Sequence, residues 1–183
     1  MVKVIALLGM SALSWLSVSC AAAEFNIALG SQHHKATMDS GDPVVDATKY
    51  SDSGYHLEFG IKNRYGRSGK NLFGAGIDVD DILGKTLVGL RALDYQRILF
   101  PHLRVGGFIG AASFDSGLPQ NGYYLGMNIQ YTDIVIKGLD IGAEYRYGRN
   151  LARDRLRSSD PQGPRPDIFM DFSSVGIAVN WRF

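Results

Sequence analysis

From Glu24 onward the chain is written in period two. Tyr55, Leu57, Phe59 and Ile61 alternate with His56, Glu58, Gly60, Lys62 and Arg64. Tyr123, Leu125, Met127, Ile129 and Tyr131 alternate with Tyr124, Gly126, Asn128, Gln130 and Thr132, and Leu139, Ile141, Ala143, Tyr145 and Tyr147 alternate with Asp140, Gly142, Glu144, Arg146 and Gly148. The last nine residues, VGIAVNWRF, repeat the pattern through Val175, Ile177, Val179, Trp181 and Phe183. Side chains of a strand point alternately to its two faces, so each segment makes a ribbon with one greasy and one polar face. The segments run to about ten residues, longer than the five or six of a soluble sheet and close to what a tilted strand needs to cross a bilayer.

After Ala23 no apolar run is long enough to cross a membrane as a helix. A secreted protein or a membrane protein built from strands remains. Turn chemistry divides the chain into eight strands, near residues 25–36, 54–65, 70–80, 85–95, 102–114, 121–132, 138–149 and 172–183. Eight is a small even number that an antiparallel, up-and-down transmembrane barrel can close on. The fold class expected is therefore all-β: an eight-stranded antiparallel up-and-down transmembrane β-barrel over 24–183. The pattern is weakest in KTLVGLRALDY, where both parities carry apolar residues.

The first 23 residues differ in kind. Lys3 precedes an apolar run to Val18 and then the small residues SCAAA, which reads as a signal peptide over 1–23, cut after Ala23. Cys20 sits in that segment, with Leu16 one position too distant for a lipoprotein site, so a processed chain has no cysteine and no disulfide. A formal charge of +1 and the lack of a Lys/Arg stripe argue against nucleic acid as a partner.

If the first strand leaves the periplasm, the two longest gaps, 37–53 and 150–171, both face outward, while the connections near GRSG, QRILFPH and DIVIK are short. Short periplasmic turns and longer outer loops are usual in such barrels. The lipid-facing parity places Phe25, Tyr65, Tyr95, Tyr131, Trp181 and Phe183 at the periplasmic end and Tyr55, Tyr123 and Tyr147 at the outer end, giving two interfacial aromatic belts.

With these features the chain resembles the small bacterial outer-membrane β-barrels of the OmpA, OmpX and opacity-protein kind. The resemblance covers nearly all of 24–183, and VNWRF looks like the C-terminal aromatic signal read by the outer-membrane assembly machinery. It implies an outer-membrane location, with membrane lipid and lipopolysaccharide as neighbours. It does not choose an activity, since that group includes adhesins, structural proteins and lipid-modifying enzymes.

An eight-stranded barrel is narrow enough for side chains to fill. The inward parity sets Glu58, Asp78, Asp80, Asp140 and Glu144 against Lys62, Arg64, Arg91, Arg104, Arg146 and Arg182, a lumen plugged by ion pairs rather than a pore. His34, His56, Glu58, Asp78 and Asp80 are expected toward the outer mouth, and Lys62, Arg64, Arg91, Arg104 and Arg182 toward the periplasm. The first group reads either as a rim cation site or as solvated rim residues, and neither metal nor cofactor is assigned from it.

Ser31 and His33 share the outward parity and supply a hydroxyl beside an imidazole, without an evident carboxylate. Arg149, Arg153, Arg155, Arg157 and Arg165 lie in or beside the seventh connection, where arginine forks suit phosphates. The loops 37–53 and 150–171 are the expected surfaces for an extracellular partner. Glycine-rich phosphate loops, H-E-x-x-H and EF-hand spacings do not occur. The reading is a non-enzymatic barrel of structural or surface-interaction role, with a lipid A-modifying enzyme on the Ser31/His33 face and a narrow channel as alternatives.

Overall fold

Alternating segments of this length satisfy their backbone only by pairing on both sides, and a closed ring of strands achieves that without an edge. In the computed structural model, which describes residues 23–39, 44, 46–115, 119–153 and 169–183, the chain forms such a ring. Its strands are β1 (Glu24–Asp39), β2 (Thr48–Tyr65), β3 (Asn71–Ile82), β4 (Lys85–Phe100), β5 (Leu103–Asp115), β6 (Pro119–Tyr131), β7 (Leu139–Arg153) and β8 (Phe169–Arg182). Each pairs antiparallel with its sequence neighbours, and β8 closes on β1. Beyond the last rungs of that seam, Phe25 and Phe183 exchange two backbone hydrogen bonds of 3.3 and 2.9 Å. No helix among the described residues is long and apolar enough to cross a membrane.

Register makes the barrel tilted and narrow. Passing from Asn26 through Gly60, Gly76, Arg91, Gly110, Tyr124, Gly148 and Phe172 returns to β1 at Ala36, ten residues along. Large inward side chains fit because they lie over glycines of the next strand. A Cβ at Gly148 would stand 2.2 Å from Phe172 Cε1, and one at Gly126 would stand 2.3 Å from Phe108 Cζ.

The outward face is an apolar band. Leu29, Phe59, Ile77, Leu90, Ile109, Leu125, Met127, Val175 and Ile177 are each 46–64% exposed. Phe25, Tyr65, Tyr131, Trp181 and Phe183 bound it at the lower rim, where β1 begins and β8 ends, and Tyr55, Tyr123 and Tyr147 bound it above. Tyr95, also outward, is half-buried against Phe73 (centroids 4.9 Å) with its hydroxyl on Asn71 Oδ1. Ten residues separate Tyr55 from Tyr65 on β2, which at the usual rise and a 45° tilt spans ~24 Å, the height of a bilayer's apolar core in such barrels.

One expectation needs correction, that of strand length. The strands are 12–18 residues long rather than about ten, and the extra length lies above the upper belt except in β4, where it is residues 96–100 at the lower end. The gaps expected at 37–53 and 150–171 therefore narrow to 40–47 and 154–168. Among the outer connections the third is the shortest described, since β3 and β4 meet through Leu83 and Gly84 alone, both at positive φ (58° and 69°). That is a tight hairpin turn. Finally, the mixed parity of KTLVGLRALDY has a geometric cause: the register shifts between Arg91 and Leu93, so Arg91 and Asp94 both point inward while Leu93 points out. The signal peptide expected over 1–23, apart from Ala23, and most of the arginine-rich connection lie outside the described residues, as does Cys20.

Candidate functional site: the barrel lumen

The inward side chains form three tiers. The uppermost is dry: Ala36, Ile82, Leu87, Phe114, Leu151, Met170 and Phe172 are at most 2% exposed and pack into one cluster. It occupies the part of the cylinder that stands above the Tyr55 and Tyr123 belt. An acidic outer mouth was expected there, and the apolar cluster replaces it.

The middle tier is organised by two buried guanidiniums. Arg91 Nε donates to both oxygens of Asp78 at 2.9 Å, and its Nη2 donates to both oxygens of Glu144 at 2.9 and 2.8 Å. Its Nη1 stands 3.3 Å from Glu58, and its plane lies 3.8 Å above the Phe108 ring. Arg146 grips Asp80 with Nη1 and Nη2 at 2.7 and 2.6 Å, and also donates to Gln32 Oε1. Tyr124 donates its hydroxyl proton to Asp78 at 2.6 Å, and His56 Nδ1 bonds Asp80 Oδ1 at 2.7 Å. A planar fork suits this task because it meets two carboxylates at once with directed N–H groups. Buried charges demand such partners, since desolvating one alone costs several kcal/mol or more.

The lowest tier is wetter. Lys62 pairs with Asp94 at 3.0 Å, and Gln96 donates to Asn128 at 3.2 Å. At the rim Glu24 accepts from Arg64 (2.8 Å) and Arg104 (2.9 Å), and Arg182 binds Asp140 (2.5 Å) and Asp133 (2.8 Å). The Gly138 backbone N–H donates to Asp133 Oδ1 at 2.7 Å, and together with Arg182 it holds that carboxyl below the usual range. Between the middle and lowest tiers lies a cavity of about 40 Å³ lined by His56, Glu58, Lys62, Gln96, Glu144 and Asn180 among others, room for a few waters.

Every residue expected in the lumen network takes part in an ion pair: Glu58, Lys62, Arg64, Asp78, Arg91, Arg104, Asp140, Glu144, Arg146 and Arg182. Arg64 does so from the rim, with nearly half its side chain exposed. Sequence reading missed Glu24, Asp94 and Asp133. Asp94 was hidden by the bulge of β4, and Asp133 belongs to a turn. The expected separation of acidic from basic ends does not occur, because Arg91 and Arg146 sit among the carboxylates of the middle tier.

The expected rim group of His34, His56, Glu58, Asp78 and Asp80 is likewise divided. His34 Nδ1 bonds Ser174 at 2.7 Å, and Asp78 and Asp80 are held by the two arginines. On the outer surface Ser31 donates to the Gly54 carbonyl (3.2 Å), not to His33. His33 instead lies between two hydroxyls of β2, with Nδ1 2.9 Å from Ser53 and Nε2 3.0 Å from Ser51.

No family model and no characterised protein matches the sequence. Solved structures do match in fold. Neisserial surface protein A aligns with a TM-score of 0.52 at 14% identity, over 87% of this chain and 97% of that one. Ail, the attachment invasion locus protein of Yersinia pestis, solved with the heparin analogue sucrose octasulfate, aligns at 0.50 and 12% identity, over 88% and 99%. The outer membrane protein OprG from Pseudomonas aeruginosa gives 0.47 at 12%, over 89% and 97%. The chain has the fold of the small bacterial outer-membrane barrels: a closed, eight-stranded antiparallel β-barrel. At these identities the likeness concerns fold alone.

Proposed function

We propose that the protein resides in the bacterial outer membrane, with its lower rim in the periplasm, and serves a structural or surface-interaction role without conducting solutes or catalysing a reaction. The observation that carries this reading is the two-part closure of the lumen, a dry cluster around Phe114 and Phe172 stacked on the Arg91 and Arg146 network. The exposed apolar band between two aromatic belts supports lipid as its surroundings, and lipopolysaccharide as the neighbour above. Both ring nitrogens of His33 are engaged by serine hydroxyls, which leaves no place on the ring for the orienting carboxylate of an acyl hydrolase. That favours the non-enzymatic reading over a lipid A-modifying one. The connections 40–47 and 154–168 are the surfaces offered to an extracellular partner, and the C-terminal strand is the segment offered to the assembly machinery.

Cell fractionation, followed by binding assays on cells whose 40–47 or 154–168 connection is shortened, tests the proposal. Recovery in the outer membrane, with surface binding reduced by shortening a loop, is the expected result. Recovery as a soluble monomer without detergent, or altered lipid A masses on overproduction that disappear in a His33→Gln strain, would overturn it.

A further inference from the structure

The middle tier is short of positive charge. Among its residues and the pair directly below, Glu58, Asp78, Asp80, Asp94 and Glu144 face Lys62, Arg91 and Arg146, which with a neutral His56 beside Asp80 leaves two negative charges in excess. Buried carboxylates do not remain ionised without a counter-charge. Three metal-ligating groups converge where the excess lies: one ligand atom from each of His56, Glu58 and Glu144 falls within 4.8 Å of the others. All three border the 40 Å³ cavity. Two further oxygens point to a ligand there. Gln96 Oε1 and Asn180 Oδ1 belong to cavity-lining side chains that are 3% and 7% exposed, and neither oxygen has a hydrogen-bond partner.

Histidine is the informative member. His56 Nδ1 is committed to Asp80 at 2.7 Å, and Nε2 takes part in none of the described hydrogen bonds. A ring held by a carboxylate through one nitrogen is oriented, in the right tautomer, to give the other nitrogen to a metal. The oxygens of Glu144 each accept one bond from Arg91 Nη2, and Oε1 also lies 3.3 Å from Arg146 Nε, which leaves the lone pairs of Oε2 the freer of the two for a metal.

We infer that the lumen holds a divalent cation of zinc-like ligand preference, bound by His56, Glu58 and Glu144, with cavity water completing the shell and Asp80 positioning the imidazole. One nitrogen and two carboxylates suit Zn²⁺ better than the all-oxygen shells of Mg²⁺ or Ca²⁺. The ion enters from the lower rim, since the apolar tier seals the upper one. It neutralises the surplus charge and ties β2 to β7 across the lumen.

The test uses the full-length barrel purified in detergent, stripped with chelator and titrated with zinc chloride by calorimetry, with magnesium as the control metal. One equivalent of zinc is expected, weakened at least about tenfold in His56→Gln and in Glu144→Gln and unchanged in His33→Gln, whose surface imidazole is the competing site. The fold of each variant is checked by its gel mobility before and after heating. If a lumen variant does not fold, anomalous scattering from zinc-soaked wild-type crystals decides, with a peak between His56 and Glu144 expected. Absence of zinc binding in the wild type, equal binding in folded lumen variants, or a peak confined to His33 overturns the inference. None of these results bears on the location or closure of the barrel.

Discussion

Arg146 and Asp80 meet across the centre of the lumen as a bidentate pair, with Nη1–Oδ2 and Nη2–Oδ1 distances of 2.7 and 2.6 Å and neither side chain exposed. Removing one partner strands the other's charge. Arg146→Met is expected to destabilise the barrel by about 3–5 kcal/mol, and combining it with Asp80→Leu to recover much of that loss. Urea unfolding in lipid vesicles measures both. A single variant within about 1 kcal/mol of wild type would show that the pair is not the organising contact of the middle tier.

Phe172 lies flat on the backbone of Gly148, where an added Cβ would meet ring carbons at 2.2–2.8 Å. Gly148→Ala is expected to cost about 1–3 kcal/mol through overpacking, and Phe172→Leu in the same chain to relieve it. Additive losses in the double variant would contradict this fit.

Phe114 is fully buried in the dry tier. Phe114→Ala is expected to lower stability by about 3–5 kcal/mol while leaving the barrel without conductance, because Arg91 and Arg146 still fill the tier beneath. Stability and single-channel recording on one preparation read the two effects separately.

The lower turn carries a pH dependence of definite sign. The Gly138 N–H and Arg182 favour the ionised form of Asp133 in the folded state. A carboxyl lowered on folding stabilises above its unfolded value, near 3.8, and that contribution is lost as pH falls through the lower folded value. Melting temperature against pH should therefore fall less steeply on the acid side in Asp133→Asn than in wild type. Parallel curves would remove Asp133 from the acid response.

Much of the fold was legible because one face of each strand is exposed and apolar and the other lines a polar lumen, so period two survives along Tyr55 to Arg64 and Tyr123 to Thr132. It failed where that contrast ends. Above the upper belt the inward face becomes apolar, as at Leu151 and Met170, and those strand ends read as loops. It failed again at Ala92, where one inserted residue exchanges the two faces of β4. The charged lumen residues were legible as a set, but their partners were not. Pairing of Arg91 with Glu144, or of His33 with Ser51 and Ser53, depends on register and curvature that no single strand records.

The closure of the lumen is tested most directly by planar-bilayer recording of the purified barrel at neutral pH. The two stacked tiers, dry around Phe114 and Phe172 and ion-paired around Arg91 and Arg146, predict a silent membrane at every applied voltage. Reproducible unitary currents from the folded protein would contradict it.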